Sequence, residues 1–177
     1  QFHLSPEREK SEYDLHRNDP SDVGYRQFLS RLCEPLAARL ASASTGLDFG
    51  CGPGPTLSVM LEEMGHQVRL YDIYYAADES VLQGSYDFIT ATEVVEHLRF
   101  PDRELLRLWH LLKPGGYLGI MTKLVRDQTA FSRWHYKNDP THICFFSRPT
   151  WQWWAAERGA ELEFIGDDVI LLRRDSQ

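Results

Sequence analysis

The chain is poor in cysteine, has fewer basic than acidic residues, and contains no long apolar run. Its 3 cysteines, Cys33, Cys51 and Cys144, are widely spaced. They form neither a disulfide framework nor a zinc-ligand pattern, so a reducing cytoplasm is the expected setting. No stretch approaches the roughly 20 apolar residues of a membrane span, and no signal peptide is visible, so no membrane association is expected. Lys and Arg number 19 against 26 Asp and Glu, for a formal net charge of −7. The basic residues are scattered, and Arg173-Arg174 is too short a run to form a patch. Phosphate backbones require such patches, so no nucleic-acid partner is expected. The chain begins at Gln1 rather than methionine, as a piece of a longer protein or a trimmed chain does.

What is present is enough for one domain with a substantial core: 177 residues. The most informative stretch runs from Gly46 to Pro55. A short apolar strand enters a loop with glycines at 50, 52 and 54, and a helical pattern follows from Thr56 to Met64. Glycine lets the backbone approach a ligand closely and take positive φ. The N–H groups at a helix start supply partial positive charge. The dinucleotide fingerprint is G-x-G-x-x-G. Here the third glycine comes one residue early, flanked by Pro53 and Pro55. Asp48 stands two residues before the first glycine, where a carboxylate repels a pyrophosphate but suits a cationic amino group. The bland alternative is an ordinary glycine-rich turn.

Three further segments weigh against that alternative. Gln67 to Asp72 reads as a strand ending in an acid, about 20 residues beyond the loop, where ribose hydroxyls are bound in doubly wound sheets. Tyr86 to Ala91 reads as a buried central strand. Thr92 and Glu93 mark its carboxyl end, and Val94-Val95-Glu96-His97 follow. A helix ending at Leu111-Leu112 then meets Lys113-Pro114-Gly115-Gly116, with a new strand over Tyr117–Thr122.

The set LDFGCGPG, YD, YDFITATEVVEHL and LLKPGGYLGI resembles a class I S-adenosylmethionine (SAM)-dependent methyltransferase of the small-molecule type. The segments stand in family order over about residues 46 to 122. The stretch from Trp134 to Phe146 is similar to the D-x-T-H…F-F segment of many such enzymes. The resemblance implies an α/β fold: a Rossmann-like doubly wound sheet, mostly parallel, closed by a C-terminal antiparallel hairpin. It implies a single domain over 1–177, with N-terminal helices in 1–42 covering the cofactor and a core in 43–177. It implies SAM as cofactor, S-adenosylhomocysteine as product and a small-molecule acceptor, with the oligomeric state left open. Carried onto this sequence, the cofactor contacts are Asp48, Gly50, Cys51, Gly52, Gly54, Asp72, Ile73, Thr92 and Glu93. Among the leading helices, Tyr13, His16, Tyr25 and Arg26 are candidates to face the methionine end, with plain packing the alternative for each.

The chain departs from the family after Asp72. Only Ile73 to Ser85 separates the second strand from the next motif, so the sheet is expected to be shortened around its third strand, with Val81-Leu82 a stub of it. Ser5-Pro6 and Ser21-Asp22 are helix starts, and Pro35 predicts a kink or break in the second helix. Lys123 to Ser147 is irregular and aromatic-bearing. Pro149 to Arg158 reads as a helix ending at Gly159, its tryptophans 151, 153 and 154 expected in the core and pocket wall. Glu161–Ile165 and Val169–Arg173 form a hairpin pattern.

A hydroxyl or amine acceptor must lose a proton, and histidine is the usual base because its pKa lies near working pH. Of 7 histidines, His142 is the first candidate for substrate contact or base, with a structural histidine the competing reading. His97 is the second, and the role of His135 is open. These histidines have no recognised metal-ligand spacing with Glu93 or Asp139, so no metal is expected. The competing functional classes are a SAM-binding regulatory or scaffold domain without chemistry and a nicotinamide-dependent oxidoreductase. The glycine spacing and Asp48 oppose the latter.

Overall fold

The computed structural model describes residues 3–15 and 18–176. Helix α1 (Pro6–Tyr13) begins where the Ser5 side chain accepts the Arg8 N–H and proline takes the first helical position. Helix α2 (Val23–Ala37) begins at Asp22, whose carboxylate accepts the Tyr25 N–H at 3.0 Å. Pro35 does not break α2, which continues to Ala37. It sits in the last turn, where a missing N–H and the ring's clash with the preceding turn disturb little helix. Leu40, beyond its end, packs against the buried cluster.

Strand β1 (Thr45–Phe49), helix α3 (Thr56–Glu63) and strand β2 (Gln67–Tyr71) form a βαβ unit. Strand β3 (Tyr86–Thr92), helix α4 (Pro101–Leu111) and strand β4 (Leu112–Met121) form a second. Short pieces follow: β5 (Leu124–Val125), α5 (Gln128–Ser132) and β6 (Phe146–Ser147), with β5 and β6 paired in a small sheet of their own. Helix α6 (Arg148–Ala156) and the hairpin β7 (Glu161–Ile165) and β8 (Val169–Arg173) complete the fold.

The main sheet runs β2-β1-β3-β4-β8-β7. Its first four strands are parallel, and β8 and β7 join antiparallel. This is the Rossmann-like, doubly wound sheet with a C-terminal antiparallel hairpin expected from the sequence. The expected stub strand is absent: Val81 and Leu82 lie in a 3₁₀ turn over Glu79–Gln83. Asp78 starts that turn by accepting the Ser80 N–H at 2.9 Å. A parallel crossover takes a dozen or more residues by itself, so Ile73 to Ser85 cannot hold both a crossover and another strand. Strand β2 is therefore the sheet edge, with Gln67 and Arg69 exposed along it, polar side chains that oppose edge pairing.

Helices cover both faces. Leu29, Leu32 and Leu36 of α2 and Leu61 of α3 pack in one cluster with Phe88 and Leu171. Leu108 of α4 and Trp151 of α6 pack in the other with Leu47, Ile89, Leu118 and Ile170. Alternation along β3 sends Phe88 to the first cluster and Ile89 and Ala91 to the second. Trp151 and Trp154 are core residues, but Trp153 is 58% exposed. None of the three lines the cavity described below, which corrects the expected pocket-wall role.

The Lys-Pro-Gly-Gly turn also differs from expectation. Helix α4 stops at Leu111, and Leu112 already pairs with Tyr86 of β3. The register shifts between Tyr86 and Phe88, so the turn residues bulge inside β4 rather than preceding it. Gly115 has φ +78, and the Lys113 ammonium donates to Asp87 at 2.8 Å. Among the described residues, no helix is long and apolar enough to cross a membrane.

Candidate functional site: a cavity at the carboxyl ends of the parallel strands

The parallel strands β1, β2 and β3 deliver their carboxyl ends to one edge of the sheet. There a cavity of about 530 Å³ opens. Asp48, Gly50, Cys51, Gly52 and Gly54 from β1 and its loop line it, as do Asp72 and Ile73 after β2. So do Thr92 and Glu93 at the end of β3, with His97 and His142 beyond. The nine residues expected to contact the cofactor, with His97 and His142, thus line one space.

The loop's shape follows from its glycines. Gly50 has φ +77 and donates its N–H to the Tyr71 carbonyl at 2.7 Å, turning the chain away from the sheet. At Gly54 a Cβ would run into the main-chain carbonyl of Asn18, so only glycine lets the segment before α2 close on the loop. Two carboxylates brace it. Asp48 is 4% exposed and accepts from Thr90 Oγ1 at 2.8 Å and Ser58 Oγ at 2.9 Å. Burial holds its carboxyl above the usual range, against those two hydroxyls. Asp72 accepts the N–H groups of Gly52 at 3.0 Å, Tyr74 at 2.8 Å and Tyr75 at 3.2 Å. Burial pushes the Cys51 thiol up to about 12, which keeps it neutral and a poor nucleophile.

The other end of the cavity is built from the turn after β3 and the irregular stretch after β4. Both Ile143 and Cys144 donate their N–H groups to the Glu96 carbonyl, at 2.8 and 2.9 Å, clamping the two segments together. His97 Nδ1 lies 3.0 Å from the Thr141 carbonyl and His142 Nδ1 lies 2.7 Å from the Tyr136 carbonyl. The two imidazoles meet edge to face, with centroids 4.8 Å apart. Burial lowers the His142 pKa against the Tyr136 carbonyl, which favours the neutral ring.

Below them the Tyr136 hydroxyl bridges two acids. It donates to Glu96 and lies 3.3 Å from a Glu93 carboxylate oxygen. Glu93 has φ +51, a left-handed conformation that is uncommon for a side-chain-bearing residue. Burial and the Glu96 carboxylate push it up to about 8. Burial also raises Glu96. Thr92 Oγ1, Glu93 Oε1 and Glu96 Oε2 are buried with no hydrogen-bond partner among the described residues. The spacing of the histidines gives no metal-ligand pattern, yet the fold brings one ligand atom each of Glu96, His97 and His142 within 4.8 Å of one another.

Helix α1 roofs the cavity. The Tyr74 hydroxyl donates to Glu9 at 3.1 Å and the Tyr75 hydroxyl to Asp14 at 2.6 Å. Tyr13 packs edge-on against His97, with centroids 5.3 Å apart. Tyr13 and Tyr25 line the cavity, whereas Arg26 turns away to pair with Glu63. His16 lies outside the described residues, and His135 is exposed. Asp78 and Glu79 do not reach the cavity. Sequence reading missed Tyr74, Tyr75, Asn18 and Asp139, which line it, and Tyr136, which organises the acids. The Tyr74-Tyr75 pair directly after Asp72 was the one available signal.

A family model described as a methyltransferase domain matches residues 22–163. The chain is similar to a ubiquinone biosynthesis O-methyltransferase of Shewanella pealeana, 29% identical over 85 residues, covering 48% of this chain and 36% of the relative. It is similar to the Xanthomonas axonopodis pv. citri protein of the same name, 29% identical over 145 residues, covering 67% of this chain and 55% of the relative. The chain thus spans between about a third and about half of these curated relatives. Among solved structures, it superposes on the Burkholderia thailandensis 1,6-didemethyltoxoflavin-N1-methyltransferase, whose structure holds S-adenosylhomocysteine. The TM-score is 0.63 at 15% identity, over 97% of this chain and 92% of that one, a likeness of fold. With the family model matching most of its length and with this sheet and glycine loop, the chain belongs to the methyltransferase-domain family.

Proposed function

We propose that this chain is a SAM-dependent methyltransferase domain acting on a hydroxyl of a small molecule. The observation that carries the reading is one cavity lined both by the glycine loop, Asp48 and Asp72 and by His97 and His142. The first set of residues suits SAM. Asp72 faces the place for ribose hydroxyls, Asp48 gives negative charge for an ammonium, and the unpartnered Thr92 Oγ1 offers a buried polar contact. Bound there, SAM supplies a methyl carbon already activated by its sulfonium.

The chain's own task is then to bind, align and exclude water. Helix α1 roofs the space, and Tyr13 closes over His97. His142 turns its Nδ1 to the Tyr136 carbonyl, which leaves its Nε2 as the ring atom for an acceptor hydroxyl. A hydroxyl acceptor is supported by the names of the curated relatives, which are O-methyltransferases. Three unpaired thiols support a reducing, cytoplasmic setting. The chain works as one domain over 1–177, residues 1–42 covering the cofactor.

The test is transfer of a labelled methyl group from SAM to a panel of phenols, alcohols and amines. Label in a hydroxyl-bearing product is the expected result. SAM binding with no transfer to any acceptor would instead favour a regulatory or scaffold domain, and label only on amines would overturn the hydroxyl assignment.

A further inference from the structure

The described residues lining the cavity include the acids Glu9, Asp48, Asp72, Glu93 and Asp139, and none of them is Lys or Arg. Four of these acids are engaged within the protein. Asp48 accepts from two hydroxyls and Asp72 from three N–H groups. Glu9 accepts the Tyr13 hydroxyl at 3.0 Å, the Tyr74 hydroxyl at 3.1 Å and the Arg99 guanidinium at 3.3 Å. Glu93 leans on the Tyr136 hydroxyl.

Asp139 differs. Its Oδ1 accepts the Thr141 N–H at 2.9 Å and the Thr141 hydroxyl at 2.6 Å, which fixes the carboxylate in place. Its Oδ2 accepts no hydrogen bond among the described residues and lies 3.9 Å from His142 Nε2. The side chain is 40% exposed, so a ligand in the cavity can reach it. Burial works to raise the Asp139 pKa, but the two Thr141 donors outweigh it and hold the carboxyl below its usual range. The group is therefore ionised at neutral pH. His142 does not offset that charge, because burial favours its neutral ring. Arg99 is spent on Glu9, and the Lys123 ammonium sits over the Tyr136 ring, 5.0 Å from its centroid. A fixed negative charge facing a cavity without lining cations attracts a cationic ligand and repels an anion.

The surroundings fit an ammonium carried on a ring. Tyr13, Tyr25 and Phe28 line the same cavity. Burial, then Glu9, then more weakly Asp139 raise the Tyr13 hydroxyl, so this ring and the acid share one neighbourhood. Aromatic faces beside a carboxylate suit an amino cation with an apolar body. The spacing also limits its length. With hydrogen bonds of about 2.8 Å to His142 Nε2 and to Asp139 Oδ2, a hydroxyl and an ammonium on one molecule can lie up to about 9 Å apart.

We propose that Asp139 receives a cationic amino group of the methyl acceptor, whose class is a phenol bearing a short aminoalkyl chain. Its hydroxyl then stands at His142 Nε2, and phenols bearing a carboxylate are rejected. This assignment rests on the methyltransferase reading and narrows its acceptor.

The experiment is calorimetry on protein first saturated with S-adenosylhomocysteine, using three phenols of similar size: tyramine (cationic), 4-ethylphenol (neutral) and 3-(4-hydroxyphenyl)propionate (anionic). Tyramine is expected to bind about tenfold tighter than 4-ethylphenol, as a half-exposed ion pair and a cation–π contact together supply. The anion is expected to bind weakest. Asp139→Asn keeps Oδ1 for Thr141 and removes the charge. It should melt as wild type does, bind 4-ethylphenol unchanged within about twofold, and lose the preference for tyramine. Tyramine binding no tighter than that of the neutral or anionic phenol, or absent, overturns the inference, as does a preference that survives in folded Asp139→Asn. S-adenosylhomocysteine binding without the tyramine preference removes this inference alone. Failure to bind S-adenosylhomocysteine removes the methyltransferase reading on which it rests.

Discussion

The Asp72 carboxylate accepts the Gly52 N–H at 3.0 Å, so the tip of β2 holds the glycine loop that follows β1. The same carboxylate accepts from Tyr74 and Tyr75 and thereby shapes the turn that carries two tyrosines to α1. One acid thus organises floor and roof of the cavity. Asp72→Ala leaves three N–H groups without their acceptor. It should lower stability by about 1–3 kcal/mol and weaken SAM at least about tenfold. Thermal melting and calorimetry check this. Full SAM affinity in a folded Asp72→Ala variant would contradict the assigned role.

Asp48 poses the opposite balance. Its carboxylate is buried with only two hydroxyl donors, Thr90 and Ser58. Burial raises its pKa, so the folded state holds its proton to higher pH than the unfolded one, and the associated stability is lost as pH rises. Asp48→Asn keeps the shape and removes the charge. The ligand-free variant should melt higher at neutral pH, while SAM affinity falls by roughly tenfold to a hundredfold, the worth of a charged hydrogen bond. A lower melting temperature with unchanged SAM affinity would reverse both statements.

Asp87 gives an acid-limb prediction. It accepts from the Thr45 N–H and the Lys113 ammonium, each at 2.8 Å, tying the starts of β1 and β4 to β3. Partial burial works to raise its pKa, but the Lys113 ammonium and the Thr45 N–H outweigh burial and hold it below the usual carboxylate value. The stability it contributes is present above the unfolded-state pKa of 3.8 and lost as pH falls through the lower folded value. Asp87→Asn should therefore reduce the loss of melting temperature between about pH 5 and pH 3 relative to wild type. An identical acid limb would show that the pair contributes nothing.

The three tryptophans of α6 should separate cleanly. Trp151 is 0% exposed between the sheet and Phe146, whereas Trp153 is 58% exposed. Trp151→Ala should cost about 3–5 kcal/mol, and Trp153→Ala should lie within about 0.5 kcal/mol of wild type. Denaturant unfolding distinguishes them, and equal effects would contradict the packing described.

Much of the glycine-loop side of the cavity was legible in the sequence because its geometry is local. Glycines 50, 52 and 54, Asp48 before them and Asp72 after one βαβ unit are tied together by short-range geometry. The grouping around the two histidines was not legible. Tyr136 reaches Glu96 across 40 residues, and His142 joins His97 through main-chain bonds of an irregular segment. No periodicity marks such a grouping. The missing third strand was half visible: the short interval showed the lack of room, but Val81 and Leu82 looked like a strand because buried 3₁₀ turns share the same apolar residues. The Pro-Gly-Gly turn read as a helix stop, and only the pairing of Leu112 with Tyr86 reveals a bulge within β4.

The most direct measurement is calorimetric titration of the wild-type chain with S-adenosylhomocysteine, and with NAD as the comparison. A cavity built for SAM predicts saturable binding of one S-adenosylhomocysteine per chain, lost or strongly weakened in Asp72→Ala, and no binding of NAD. No heat with S-adenosylhomocysteine, or tighter binding of NAD, would contradict it.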